Sequence, residues 1–139
     1  MPAAWIPDAV RQHPLGSALE QALEPGETLL CAAPLDLSPQ RRFAQGLLGL
    51  SARRLLLVDG EGVRDWPLRV GLRLQSTDAG GLAWLDLVDG ERRLAQFAHT
   101  LAEQAQVQRL QEAFEQLQRQ GRLEALEEDE SESFDHELL

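Results

Sequence analysis

The tetrapeptide Val58-Asp59-Gly60-Glu61 recurs as Val88-Asp89-Gly90-Glu91, each time after an apolar stretch and ahead of further strand-like sequence. Asp-Gly can adopt the positive φ angles of a type I′ turn, whose twist suits a short hairpin, so both copies predict hairpin tips. The same grammar governs the middle of the chain. From Glu27 onward, short apolar runs are broken at Pro34, Pro39, Gly46, Asp59-Gly60, Gly71, Gly80-Gly81 and Asp89-Gly90. That spacing predicts about six or seven antiparallel strands between residues 27 and 99.

Helical patterns flank this region. Ser17-Ala18-Leu19-Glu20 has capping-box spacing, Leu15, Leu19 and Leu23 fall on one face, and Pro25-Gly26 supplies a stop, which predicts a short helix to about Leu23. Thr100-Leu101-Ala102-Glu103 is a second capping box. It opens a stripe of Val107, Leu110, Phe114 and Leu117 with glutamines and glutamates on the wet side, and Gly121 is its expected stop. The fold class is therefore α+β and mainly β: antiparallel strands in an open sheet, with a short N-terminal helix and a C-terminal amphipathic helix that closes it. The expected divisions are an irregular N-terminal arm over 1–16 in which Trp5 packs onto the domain, a folded domain over 17–122, and an acidic disordered tail or linker over 123–139.

A chain of 139 residues suits one such domain. Residues 124–139 hold eight acids and no base, which leaves 15 acids against 13 arginines in the remainder, close to neutrality. No basic face of the kind that nucleic acid requires follows from this, and no nucleic-acid partner is expected. The chain has no lysine at all, which excludes a Walker A loop, a Schiff-base lysine and a lysine general base. No apolar run approaches the length needed to cross a bilayer, and the start of the chain lacks a signal-peptide pattern, so a cytoplasmic setting is expected.

Residue types that carry chemistry are present without the spacing that chemistry needs. Cys31 sits in the apolar run Leu29-Leu30-Cys31-Ala32-Ala33 and reads as a small core residue. His13, His99 and His136 have no second metal ligand at helical or strand spacing, and His99 reads as a surface residue near a helix start. No serine lies in a nucleophile elbow. The expectation is a non-catalytic chain without metal or cofactor. What remains is a set of arginine doublets, Arg41-Arg42, Arg53-Arg54 and Arg92-Arg93, and an aromatic residue, Trp66. If one member of each doublet gathers on the same rim, they form an interaction surface able to hold a phosphate or carboxylate. Salt bridges to nearby acids are the plainer expectation for the same arginines.

Leu23-Glu24-Pro25-Gly26-Glu27, followed by Leu47-Leu48-Gly49-Leu50-Ser51-Ala52-Arg53-Arg54-Leu55-Leu56-Leu57-Val58, resembles the opening of bacterial pleckstrin-homology-like (PH-like) domains. Ser51 stands where a threonine is more usual. Asp65-Trp66-Pro67-Leu68 and the stretch from Phe97 to Leu110 look like the N-terminal cytoplasmic domain fused to some bacterial ABC exporters. The resemblance covers roughly residues 20–118 and implies a PH-like barrel plugged by its C-terminal helix. It also implies an accessory or regulatory role through contacts with a protein partner or the rest of a transporter polypeptide, at the inner face of the plasma membrane. ATP-binding and membrane parts are not in this chain. The competing expectations are a free-standing acidic adaptor or secretion-type chaperone, and weak membrane-surface contact through Trp66 or Trp84 with an arginine rim.

Overall fold

The computed structural model describes residues 8–38, 40 and 42–138, with side chains described from Val10 to Gly121 outside those gaps. Two short helices, α1 (Asp8–Gln12) and α2 (Gly16–Ala22), precede seven strands: β1 (Leu29–Leu37), β2 (Phe43–Ser51), β3 (Arg54–Asp59), β4 (Gly62–Pro67), β5 (Leu72–Ala79), β6 (Leu82–Asp89) and β7 (Arg92–Thr100). A 3₁₀ turn, Leu101–Glu103, leads into α3 (Gln104–Leu138). All strand pairs are antiparallel, and the order is β4-β3-β2-β1-β7-β6-β5. The sheet is open, with β4 and β5 as its two edges. β1 meets β7 only at its far end, where Leu37 pairs with Ala98, so the first four strands and the last three form two wings that diverge from that corner.

The wings enclose the larger core. Ala33, Leu35, Leu48, Leu50, Leu55 and Leu57 from the first wing face Leu72, Leu74, Leu85, Leu87 and Phe97 from the second, and Val107, Leu110 and Phe114 of α3 pack into the same cluster. The expected α3 stripe is thus the face that closes the sheet. A second cluster lies on the opposite side of the first wing, where Leu29, Leu47, Leu56 and Val58 meet Val10 of α1 and Leu19 of α2. This explains why Leu47-Leu48-Gly49-Leu50 and Leu55-Leu56-Leu57-Val58 are continuous apolar runs: β2 and β3 are covered on both faces, so both sets of alternating side chains leave water.

Hairpin positions follow the sequence closely, but the turns sit one residue later than Asp-Gly. Asp59 pairs with Gly62 and Asp89 with Arg92, which leaves Gly60-Glu61 and Gly90-Glu91 as the loops. Asp59 Oδ1 accepts the Glu61 N–H at 2.8 Å, so the aspartate closes the turn with its side chain. Two successive positive φ angles occur instead at Gly80 (61°) and Gly81 (86°), in the β5–β6 hairpin.

Neither capping box forms. The residue preceding α2 is Leu15, with no side-chain cap, and Ser17 lies inside the helix. Thr100 does occupy the cap position before the 3₁₀ turn, but its hydroxyl donates to Asp36 Oδ2 and its N–H to Asp36 Oδ1 at 2.8 Å. For the N–H, this acceptor on β1 stands in place of the Glu103 carboxylate that a capping box would use. The N-terminal segment is also more regular than an arm over 1–16: α1 buries Val10, Gly16 N–H donates to the His13 carbonyl at 2.9 Å, and Leu15 N–H donates to His13 Nδ1 at 3.0 Å. The expected packing of Trp5 lies outside the described residues. At the other end, Gly121 does not stop α3, and the backbone of the acidic segment continues as helix to Leu138 where an irregular tail was expected. A mid-helix glycine costs only about 1 kcal/mol, and the flanking Arg, Gln, Leu, Glu and Ala residues are strong helix formers.

Candidate functional site

Among the described arginines, the predicted rim does not assemble. Arg42 precedes β2 and Arg53 follows it, so these two stand at opposite ends of a nine-residue strand, roughly 26 Å apart along its length. Arg41 lies outside the described residues. Arg42, Arg92 and Arg93 are exposed, the last two at the start of β7. Arg53 makes a loose surface pair with Glu24 at 3.6 Å.

Arg54 is spent on the fold. Glu27, whose side chain is 1% exposed, accepts Arg54 Nε on Oε2 at 2.9 Å and Arg54 Nη2 on Oε1 at 2.7 Å. Ser51 Oγ donates to the same carboxylate at 2.6 Å and accepts the N–H groups of Arg53 and Arg54. The guanidinium also donates to Asp65 Oδ2 at 2.7 Å and to the Ala22 carbonyl, the last of α2, at 2.6 Å. One side chain therefore ties the end of α2, the start of β3 and the edge strand β4 together. The Arg54 guanidinium holds the Glu27 carboxyl down at about 2, against the opposing effect of burial, and the carboxylates hold Arg54 protonated. These are the Glu27, Ser51 and Arg54 positions of the quoted sequence stretches. Their spacing in sequence gave no sign that they meet, because the pairing of β2 with β3 and the path from α2 to β1 bring them together.

Other titratable groups have structural surroundings. Cys31 packs against the larger core, and burial pushes its thiol up to about 11, far from nucleophilic. His99 is not a surface residue: it is 2% exposed near the end of β7, with Nδ1 2.9 Å from the Thr100 carbonyl oxygen. Glu103, close to Asp36 and His99, is raised by burial and by the neighbouring Asp36 charge. Among the described residues, no three His, Cys, Asp or Glu side chains converge as a metal site would require.

An open cleft of about 310 Å³ lies where the β1–β2 connection and the β3–β4 hairpin approach β7. Leu37, Leu57, Phe97 and Ala98 supply its apolar surface, and Asp59, Glu61 and Arg64 its charges. Trp66 stands beside it as an inward-facing residue of β4, edge-on to Phe97 with ring centroids 5.6 Å apart. Arg64, two residues earlier and so on the same face, holds its guanidinium carbon 5.9 Å from the Trp66 ring centroid and pairs loosely with Asp59 at 3.6 Å. Among the described residues of the sequence-predicted surface, none lines this cleft, and Trp66 adjoins it through Phe97. Arg64 was missed because a single arginine after Gly62-Val63 carries no signal in sequence.

Exposed apolar side chains mark the same end of the first wing: Phe43, opening β2, is 87% exposed and Val63 on β4 is 47% exposed. No helix among the described residues is long and apolar enough to cross a membrane. No family model, curated protein or solved structure matches the chain.

Proposed function

We propose that this chain is a non-catalytic PH-like interaction module, the accessory cytoplasmic part of a bacterial ABC exporter, acting through protein contacts. The observation that carries the reading is the uncovered end of the first wing: the edge strand β4 and an apolar-walled cleft lie there, with exposed Phe43 and Val63 at the same end, while Glu27, Arg54 and Asp36 are engaged within the fold. Two wings of antiparallel strands with a C-terminal helix packed between them agree with the architecture that the resemblance implies. The Glu27–Ser51–Arg54 network gives a physical reason for those residues to occur together in such a sequence. A secretion-type chaperone gains no comparable support, since residues 62–79 run as β4 and β5 rather than through a helix.

The genomic reading frame beyond the Leu139 codon tests the exporter assignment. A frame that continues into a set of apolar spans and a Gly-x-x-x-x-Gly-Lys loop is the expected result. A stop codon at that point overturns the fusion and turns attention to a free-standing adaptor.

A further inference from the structure

The two edges of the sheet differ in their cover. β5 hydrogen-bonds to β6, and on its other side α3 supplies donors: Gln118 Nε2 donates to the Leu72 carbonyl at 2.9 Å and to the Arg69 carbonyl at 2.7 Å, and Gln111 Nε2 donates to the Leu74 carbonyl at 3.0 Å. That blocks the buried half of this edge. Among the described residues, β4 pairs with β3 alone, and Gly62, Val63, Arg64, Asp65 and Pro67 are all exposed. An uncovered edge presents a row of backbone donors and acceptors that an added strand satisfies.

A second copy of the chain is a poor occupant. Antiparallel pairing about a two-fold axis keeps each face of the sheet together, so opposed residues must share parity. The registers that overlap most of β4 are centred on Arg64 or on Asp65. The first sets Arg64 against the same arginine of the second copy, and the second does the same with Asp65. Like charges directly opposed destabilise a strand pair.

Resting on the reading of the chain as an interaction module, we infer that the β4 edge takes an extended segment of a different protein as an added antiparallel strand. The charges set its chemistry. Trp66 and Arg64 share the cleft face, and Val63 and Asp65 the opposite one; Asp65 accepts Arg54 on Oδ2 but its side chain stays 44% exposed, so the complementary strand carries, in chain order, an apolar, a basic, an acidic and an apolar residue opposite Trp66, Asp65, Arg64 and Val63. The acidic residue lies over the cleft against Arg64, whose pairing with Asp59 at 3.6 Å is loose enough to yield.

The probe is the peptide Thr-Ile-Lys-Glu-Val-Thr, titrated into the ¹⁵N-labelled full chain, with Thr-Ile-Glu-Lys-Val-Thr as a control of identical composition. The expected result is amide shifts centred on residues 62–67 and binding about tenfold tighter than the control, since the exchange turns two attractive cross-strand pairs repulsive. In Arg64→Glu the first peptide should weaken and Thr-Ile-Lys-Lys-Val-Thr should become the better ligand, while unchanged amide positions elsewhere report an intact fold. Equal affinity for both isomers, shifts centred on β5 and α3, no shifts at millimolar peptide, or concentration-dependent self-association that protects β4 would each overturn the inference. None of these outcomes bears on whether the reading frame continues past Leu139, so the two readings fail separately.

Discussion

Arg54 and Glu27 show how a residue pair that looks like surface charge in sequence becomes a structural joint. Desolvating a carboxylate is costly, and here bidentate arginine and serine contacts offset that cost. Removing one partner leaves the other uncompensated, so Arg54→Ala is expected to lower unfolding stability by about 3–5 kcal/mol in urea titrations, whereas Arg53→Ala should fall within about 0.5 kcal/mol of wild type. The pH dependence follows from the depressed Glu27 value. A carboxyl that titrates near 2 when folded and near 4.5 when unfolded contributes stability that is present above about 4.5 and is lost as pH falls toward 2. Stability should therefore decline across that window, and Glu27→Gln should flatten the decline. Cys31 gives an independent check at this scale: with its thiol raised to about 11, it should react with thiol reagents at pH 8 far more slowly than a free cysteine, and faster after denaturation.

Elements are held together where small residues allow them to approach. A Cβ at Gly16 would stand 1.7 Å from the Val10 carbonyl oxygen, so α1 can fold onto the start of α2 only because the side chain is missing. A Cβ at Gly49 would lie 3.0 Å from Leu29 Cδ1 and 3.1 Å from Leu19 Cδ1, which is where α2 seats on β2. Gly16→Ala should force α1 away from the sheet and cost about 1–3 kcal/mol, with loss of hydrogen-exchange protection concentrated at residues 10–19, whereas Gly60→Ala, with open space around it, should leave those amides unchanged. The hairpins, the helix stripe and the approximate strand count could be read from sequence because each depends on neighbours a few residues apart. The second capping box misled for the opposite reason: the Thr100 N–H found its acceptor in Asp36, 64 positions away.

At the scale of the molecule, β2 and β3 belong to two cores at once, with Leu48, Leu50, Leu55 and Leu57 on one side and Leu47, Leu56 and Val58 on the other. Loss of either layer exposes apolar surface on strands that the other layer needs. Leu19→Ala in the outer layer and Phe114→Ala in the inner one are therefore both expected to shift a single cooperative transition, by about 2–5 kcal/mol each, without changing the denaturant slope. Two separable transitions would show that the α1–α2 layer melts alone. The sequence by itself determined the class of the fold, the hairpin positions to within a residue and the face by which α3 packs, since hydrophobic period and turn chemistry are local properties. It also excluded lysine-dependent chemistry outright. Tertiary structure alone decided that Arg54 is a joint rather than a contact residue, that His99 is buried, and that, among the described residues, half of the β5 edge is covered while β4 is open. Those outcomes depend on which distant strands and helices come within hydrogen-bonding range, and no spacing along the chain encodes that distance.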